Sequence, residues 1–154
     1  RQALALVSLL RCWLPQFLLC SPWLRCTETL RPYATDTGCR LRTKGSLSED
    51  GHVRDPGKAQ RHLQKVLDRA DPALVCTHRA VLPDLVTQLA AVTAVGARAE
   101  LPDEDPWLRP GELLVAHLVR GPFPGPDPTA RVVAVERHRP GAEHLSGRPA
   151  PTGG

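Results

Sequence analysis

A chain of 154 residues, 42% hydrophobic and 23% charged, has the size and composition of one folded domain and leaves no room for a second catalytic one. Its net charge of +4 is spread over arginines in every segment, many beside acids, so composition gives no sign of a nucleic-acid partner. Five cysteines, Cys12, Cys20, Cys26, Cys39 and Cys76, form no C-x-x-C pair and leave an odd number, which argues against a disulfide framework and for the cytoplasm.

Residues 1–14 carry helical apolar spacing at Ala3, Leu4, Leu6, Val7, Leu9 and Leu10, and Pro15 stops the pattern. Arg11 and Pro15 interrupt the leucine-rich run, which is too short for a membrane span and lacks a small-residue cleavage site. The pattern opens without a cap and the chain contains no methionine, so it reads as a piece of a longer protein.

Phe17 to Cys20 reads as a short strand buried on both faces, and Ser21-Pro22 as the N-cap and first turn of a helix that runs to about Thr35 and is closed by Gly38. Arg40 to Leu47 reads as a short strand leading into an acidic turn, Leu47-Ser-Glu-Asp-Gly51. A helix follows from Pro56 to Ala70, with Leu63, Val66 and Leu67 on its inner face and Arg61-His62 as a solvated surface pair.

Asp71-Pro72 ends that helix, and Ala73 to Thr77 forms the second buried strand. Arg79 to about Val95 is the next helix, with Pro83 tolerated only near its start. Gly96 to Pro110 reads as a loop with an acidic cluster and Trp107 as a lid. Gly111 to Val119 and Arg131 to Glu136 suit a hairpin around the Pro/Gly-rich turn at Gly121 to Pro128, and Arg139 to Gly154 a disordered tail. The alternation of helices with apolar strands predicts an α/β domain whose sheet is covered on both faces.

In such a sheet ligands bind beyond the carboxyl ends of the strands. The first apolar run delivers Ser21 and Arg25 there, and the second Thr77, His78 and Arg79. Helix N-termini and guanidinium groups both suit phosphate, so the pattern predicts a phosphate-binding site that uses no metal. His117, His138 and Cys39 lack zinc spacing, and neither a P-loop nor a Glu-rich Nudix box occurs.

Ser21-Pro22-x-x-Arg25-Cys26-x-x-Thr29 and Val75-Cys-Thr-His78, each after an apolar run, resemble two elements of the histidine phosphatase superfamily, also called phosphoglycerate-mutase-like. The resemblance extends to about residue 138. With Pro32, Arg79-x-Val-Leu-Pro83 and Val133-Ala-Val-Glu-Arg-His138 included, it is most similar to the second domain of bacterial MutT-type Nudix hydrolases.

That resemblance implies a three-layer αβα fold with a mainly parallel sheet, and hydrolysis of a phosphate ester or nucleotide through a phosphohistidine. Arg25 would clamp the phosphate, His78 would be the second histidine, and Glu49, beside Asp50, would protonate the leaving oxygen. Ser21, Thr77 and Arg79 complete the expected phosphate-binding set. Partners would be a phosphorylated small molecule or nucleotide and a Nudix domain in cis, with neither nucleic acid nor membrane. The domain would need no cofactor of its own, magnesium serving only the Nudix domain.

The superfamily's nucleophile lies in an Arg-His-Gly motif that ends its first strand, and no Arg-His-Gly occurs here. Residues 1–138 would then form a truncated domain lacking that strand and turnover, followed by the tail at 139–154. The alternatives are an inactive phosphate-binding module and a non-functional fragment. Arg137-His138 is the weak internal substitute for the missing motif, since it runs into Pro140 rather than a helix.

Overall fold

A computed structural model describes residues 2–122 and 130–140. The expected turn at Gly121 to Pro128 and the expected tail fall largely outside the described residues. In chain order the elements are α1 (Gln2–Leu10), β1 (Phe17–Cys20), α2 (Leu24–Thr37), β2 (Leu41–Thr43), α3 (Glu49–Arg54), α4 (Pro56–Leu67), β3 (Ala73–Cys76), α5 (Leu82–Ala91), β4 (Leu113–Arg120) and β5 (Ala130–His138). The fold is mixed α/β.

β1 is the middle strand of a three-stranded parallel sheet, with β2 on one side and β3 on the other. Alternate side chains leave a strand on opposite faces. Leu18, Cys20, Leu74 and Cys76 therefore share one core with Leu6 and Leu10 of α1 and Cys26, Leu30 and Tyr33 of α2. Phe17, Leu19 and Val75 share the other, with Ala59 and Leu63 of α4 and Leu85 of α5. Helices thus cover both faces, as the apolar strand runs predict. Tyr33 is fully buried and its hydroxyl donates to the Pro15 carbonyl at 3.2 Å, which fixes α2 against the entry to β1. Gly38 closes α2 in the left-handed conformation.

β4 and β5 form a separate antiparallel pair, with an irregularity between His117 and Leu118. Val132 and Val135 pack with Val86 of α5 and Leu101, and half-buried Trp107 covers that third core. No ladder joins β3 to β4. A groove of about 330 Å³ lies between them, lined by Ala73 and Leu74 on one side and Leu113 to Leu118 on the other.

That gap corrects the reading of Ala73 to Thr77 as a fully buried strand. Every residue of β3 is only half-buried, because no strand among the described residues pairs with its outer edge, whereas Leu18, Leu19 and Cys20 of the central strand are buried. Three helices are shorter than expected, α4 ending at Leu67 rather than Ala70. α1 stops at Leu10, and Arg79–Val81 is a 3-10 turn, so that Pro83 falls in the first turn of α5 where its missing N–H costs nothing. A further 3-10 segment, Val95–Glu100, lies where a loop is expected.

The acidic turn expected at Leu47 to Gly51 is instead the cap and first turn of α3. Ser48 Oγ accepts from the Gly51 amide at 3.1 Å and donates to the Gly45 carbonyl at 2.6 Å. Gly51 is required there, because a Cβ would sit 1.9 Å from the Gly45 carbonyl oxygen. Arg61-His62 is also not the solvated pair expected: Arg61 is exposed and bound to Asp55, but His62 is half-buried. No helix among the described residues is long and apolar enough to cross a membrane.

Leu18 is the centre of this packing, with none of its surface exposed. Leu18→Ala is expected to lower unfolding free energy by about 2–5 kcal/mol in urea titrations. Leu24→Ala, at a position 70% exposed, should change it by less than about 0.5 kcal/mol.

Candidate functional site

The parallel register places Cys20 beside Cys76, so the residues that follow the two strands emerge together. The Ser21 amide continues the ladder by donating to the Cys76 carbonyl at 3.0 Å. Ser21 and His78 are both buried, and His78 Nε2 lies 2.8 Å from Ser21 Oγ. On the other side of the ring, Arg25 Nε donates to His78 Nδ1 at 3.0 Å. Arg25 Nη2 also donates to Glu49 Oε1 at 2.9 Å, and that oxygen is 3.9 Å from His78 Nδ1. Four of the expected residues, Ser21, Arg25, Glu49 and His78, are therefore one connected cluster.

The hydrogen bonds assign the proton. A guanidinium nitrogen only donates, so Nδ1 must accept, and the imidazole is neutral with its proton on Nε2, donated to Ser21 Oγ. Burial holds His78 below the ordinary imidazole value and the nearby Arg25 charge adds to this, against an opposing pull from Glu49. Ser21 Oγ also accepts from the Trp23 amide at 3.3 Å. The expected N-cap is corrected accordingly. α2 begins at Leu24, no side chain caps it, and the Ser21 hydroxyl is committed to the histidine instead.

Thr77 and Arg79 do not join the cluster. Thr77 Oγ1 donates to the Leu47 carbonyl at 2.7 Å, tying the end of β3 to the segment before α3. Arg79 is exposed and its guanidinium is held by Asp105, with Nε 2.6 Å from Oδ1. Asp50 follows Glu49 on α3 but faces a separate cavity. His138 belongs elsewhere, 2.6 Å from Glu136 and against the Trp13 ring, and His117 also pairs with Glu136 at 2.6 Å.

Two contributors have no chemical signature in the sequence. The Trp23 ring lies 4.8 Å from the His78 ring at 59°, with the Arg25 guanidinium 5.1 Å from its centroid. Trp23 packs as a wall for both groups, and only its place between the Ser-Pro pair and Arg25 marks it. Cys26, buried one turn into α2, places Sγ 3.5 Å from His78 Nε2. A hydrogen bond from Cys76 lowers the Cys26 thiol below its usual range despite burial, and Arg25 and Ser21 lower it further. Burial pushes neighbouring Cys20 up to about 11, and Cys76, which gives the hydrogen bond, is also raised. Among the described residues no group of three His, Cys, Asp or Glu side chains could hold a metal ion.

The rim of the cluster is open to solvent. Arg25 is 61% exposed and Glu49 43%, while the histidine beneath them is shielded, so a ligand meets the guanidinium first. No protein-family model matches the chain.

The neutral histidine has a consequence for stability. His78 and His62 are both held below 6.5, so as pH falls the unfolded chain takes up their protons first. Their contribution is complete above about pH 6.5 and is lost as pH falls through the folded values. The urea midpoint is expected to drop between pH 7.5 and 5.5, and less so in His78→Gln. A wild-type midpoint that stays flat over this range would refute the neutral assignment.

Proposed function

We propose that the chain is the larger part of a histidine phosphatase domain, phosphoglycerate-mutase-like in fold and the partner of a Nudix domain in its complete protein, and that it binds the phosphoryl group of a phosphate ester or nucleotide. The observation that carries this reading is the convergence of Arg25, His78, Glu49 and Ser21 at the carboxyl ends of β1 and β3. Arg25 is placed to clamp the phosphoryl oxygens, His78 to stabilise charge that develops on them, and Glu49 to give a proton to the leaving oxygen. Thr77 and Arg79 support the site's edge without entering the cluster.

A second observation bears on the missing nucleophile. The groove between β3 and β4 is bounded by two strands that do not pair with each other, and Leu74, Leu113, Leu114 and Val115 give it apolar lining beside Arg69, Asp71 and His117. One further parallel strand fits the need of the β3 edge, and its carboxyl end would emerge beside His78. In this proposal that strand carries the Arg-His-Gly motif, and the histidine attacks phosphorus in line with the leaving oxygen to give a phosphohistidine that water then hydrolyses. An unoccupied edge also favours association with other chains, which suits the alternative of a non-functional fragment.

Calorimetric titration with inorganic phosphate tests the clamp. Arg25→Ala is expected to weaken binding roughly tenfold or more, the range for a lost hydrogen bond to a charged group. Equal affinity in wild type and variant would refute the convergence. The 154-residue chain itself is expected not to hydrolyse para-nitrophenyl phosphate. Turnover that His78→Ala abolishes would place the nucleophile inside this chain and overturn the proposal.

A further inference from the structure

Beside the cluster lies a second concave site. A cavity of about 480 Å³ is lined by Trp23, Lys44, Ser46, Arg54, Lys58 and His62, among others. Its volume is within the range of small-molecule sites. Lys44, Arg54 and Lys58 are exposed, and none of the three makes an ion pair among the described residues. Two acids also line it. Asp55 is engaged by Arg61 at 2.7 Å, which leaves Asp50 as the acid without an ion pair among the described residues. Three cations against one such carboxylate leave the cavity positive.

Its wall also holds unused polar groups. Ser46 is 6% exposed and its hydroxyl has no hydrogen-bond partner, and His62 Nε2 is likewise buried without one. Buried polar groups left unpaired cost stability, and a ligand that pairs with them recovers the loss. The proton affinity of His62 is lowered first by burial and then by Lys44, Lys65, Lys58 and Arg61, which agrees with a positive field at this wall.

The cavity adjoins the Arg25–His78 cluster. Trp23 lines it while packing against His78, and Ser48 and Asp50, on either side of Glu49, line it as well. We propose that this cavity holds a second anionic group of the substrate, so that the site takes a diphosphate or bisphosphate, with Lys44, Arg54 and Lys58 as counter-charges. The proposal rests on the phosphate reading of the cluster and narrows it to a substrate class.

Calorimetry of the same chain with inorganic pyrophosphate and inorganic phosphate tests it. Pyrophosphate is expected to bind about tenfold tighter than phosphate, a difference of roughly 1.4 kcal/mol. Lys44→Ala/Lys58→Ala should remove most of that preference and leave phosphate affinity unchanged. Arg31→Ala, which removes a positive charge from α2 outside the cavity, should leave the preference intact. A preference that survives the double substitution, or falls equally with Arg31→Ala, overturns the inference while an Arg25-dependent phosphate site stands. Pyrophosphate binding that needs both lysines but ignores Arg25→Ala keeps the cavity as an anion site and refutes the cluster reading instead.

Discussion

The parallel pairing of β1 with β3 is the constraint on which the site depends. Four residues on each strand, aligned from Phe17 with Ala73 to Cys20 with Cys76, bring together two stretches of chain more than fifty positions apart. A slip of β3 by one residue against β1 would turn Leu74 from the α1–α2 core to the α4–α5 core and would carry His78 away from Ser21. The alternation of side chains between two dry faces therefore holds the register, and the register holds the histidine. Ser21 closes the arrangement, since its amide extends the ladder and its hydroxyl accepts the histidine proton.

The same sheet leaves the outer edge of β3 unpaired among the described residues. Parallel sheets are ordinarily covered on both faces and continuous, and their strands read as unbroken apolar runs. β3 has such a run, Ala73-Leu-Val-Cys76, yet every residue in it is half-buried. β4 begins with Leu113-Leu-Val-Ala116, equally apolar and equally half-buried. Two strands composed for burial flank one groove. The composition of each is explained if a further strand lies between them, and this reasoning needs nothing from the order of motifs along the chain.

Much of this was legible in the sequence, and the reasons for the rest are physical. Apolar runs located β1 and β3 because burial on both faces leaves no polar position in them. Pro15, Gly38 and Asp71-Pro72 marked boundaries through backbone restrictions that operate locally. Arg25 and His78 were placed by their positions just past strand ends, and Glu49 as the acid the resemblance calls for, taken from an expected acidic turn, although it lies on a capped helix. What escaped depends on contacts between distant segments. Nothing near Arg79 announces that Asp105 will hold it, nor near Thr77 that the Leu47 carbonyl will take its hydroxyl. His62 looked solvated because helical position alone does not reveal which neighbours enclose a residue.

The proton on His78 decides how the cluster can receive an anion. Its Nδ1 faces Arg25 and Glu49 with a lone pair, and that lone pair is satisfied by Arg25 Nε. A phosphoryl oxygen that draws the guanidinium toward itself removes this partner and offers only further lone pairs to Nδ1. Two acceptors cannot share a contact without a proton between them, so an oxygen held there would require a proton on Nδ1, through the other tautomer with Ser21 Oγ donating to Nε2 or through protonation of the ring. The incoming negative charge raises the proton affinity of the imidazole, opposing the burial and the Arg25 charge that depress it. Glu49 Oε1, 3.9 Å away, is the nearest carboxylate oxygen to Nδ1. In the proposed site, anion binding and proton placement would thus be coupled. The histidine that accepts from Arg25 in the free site would donate from Nδ1 if the proposed anion were held there.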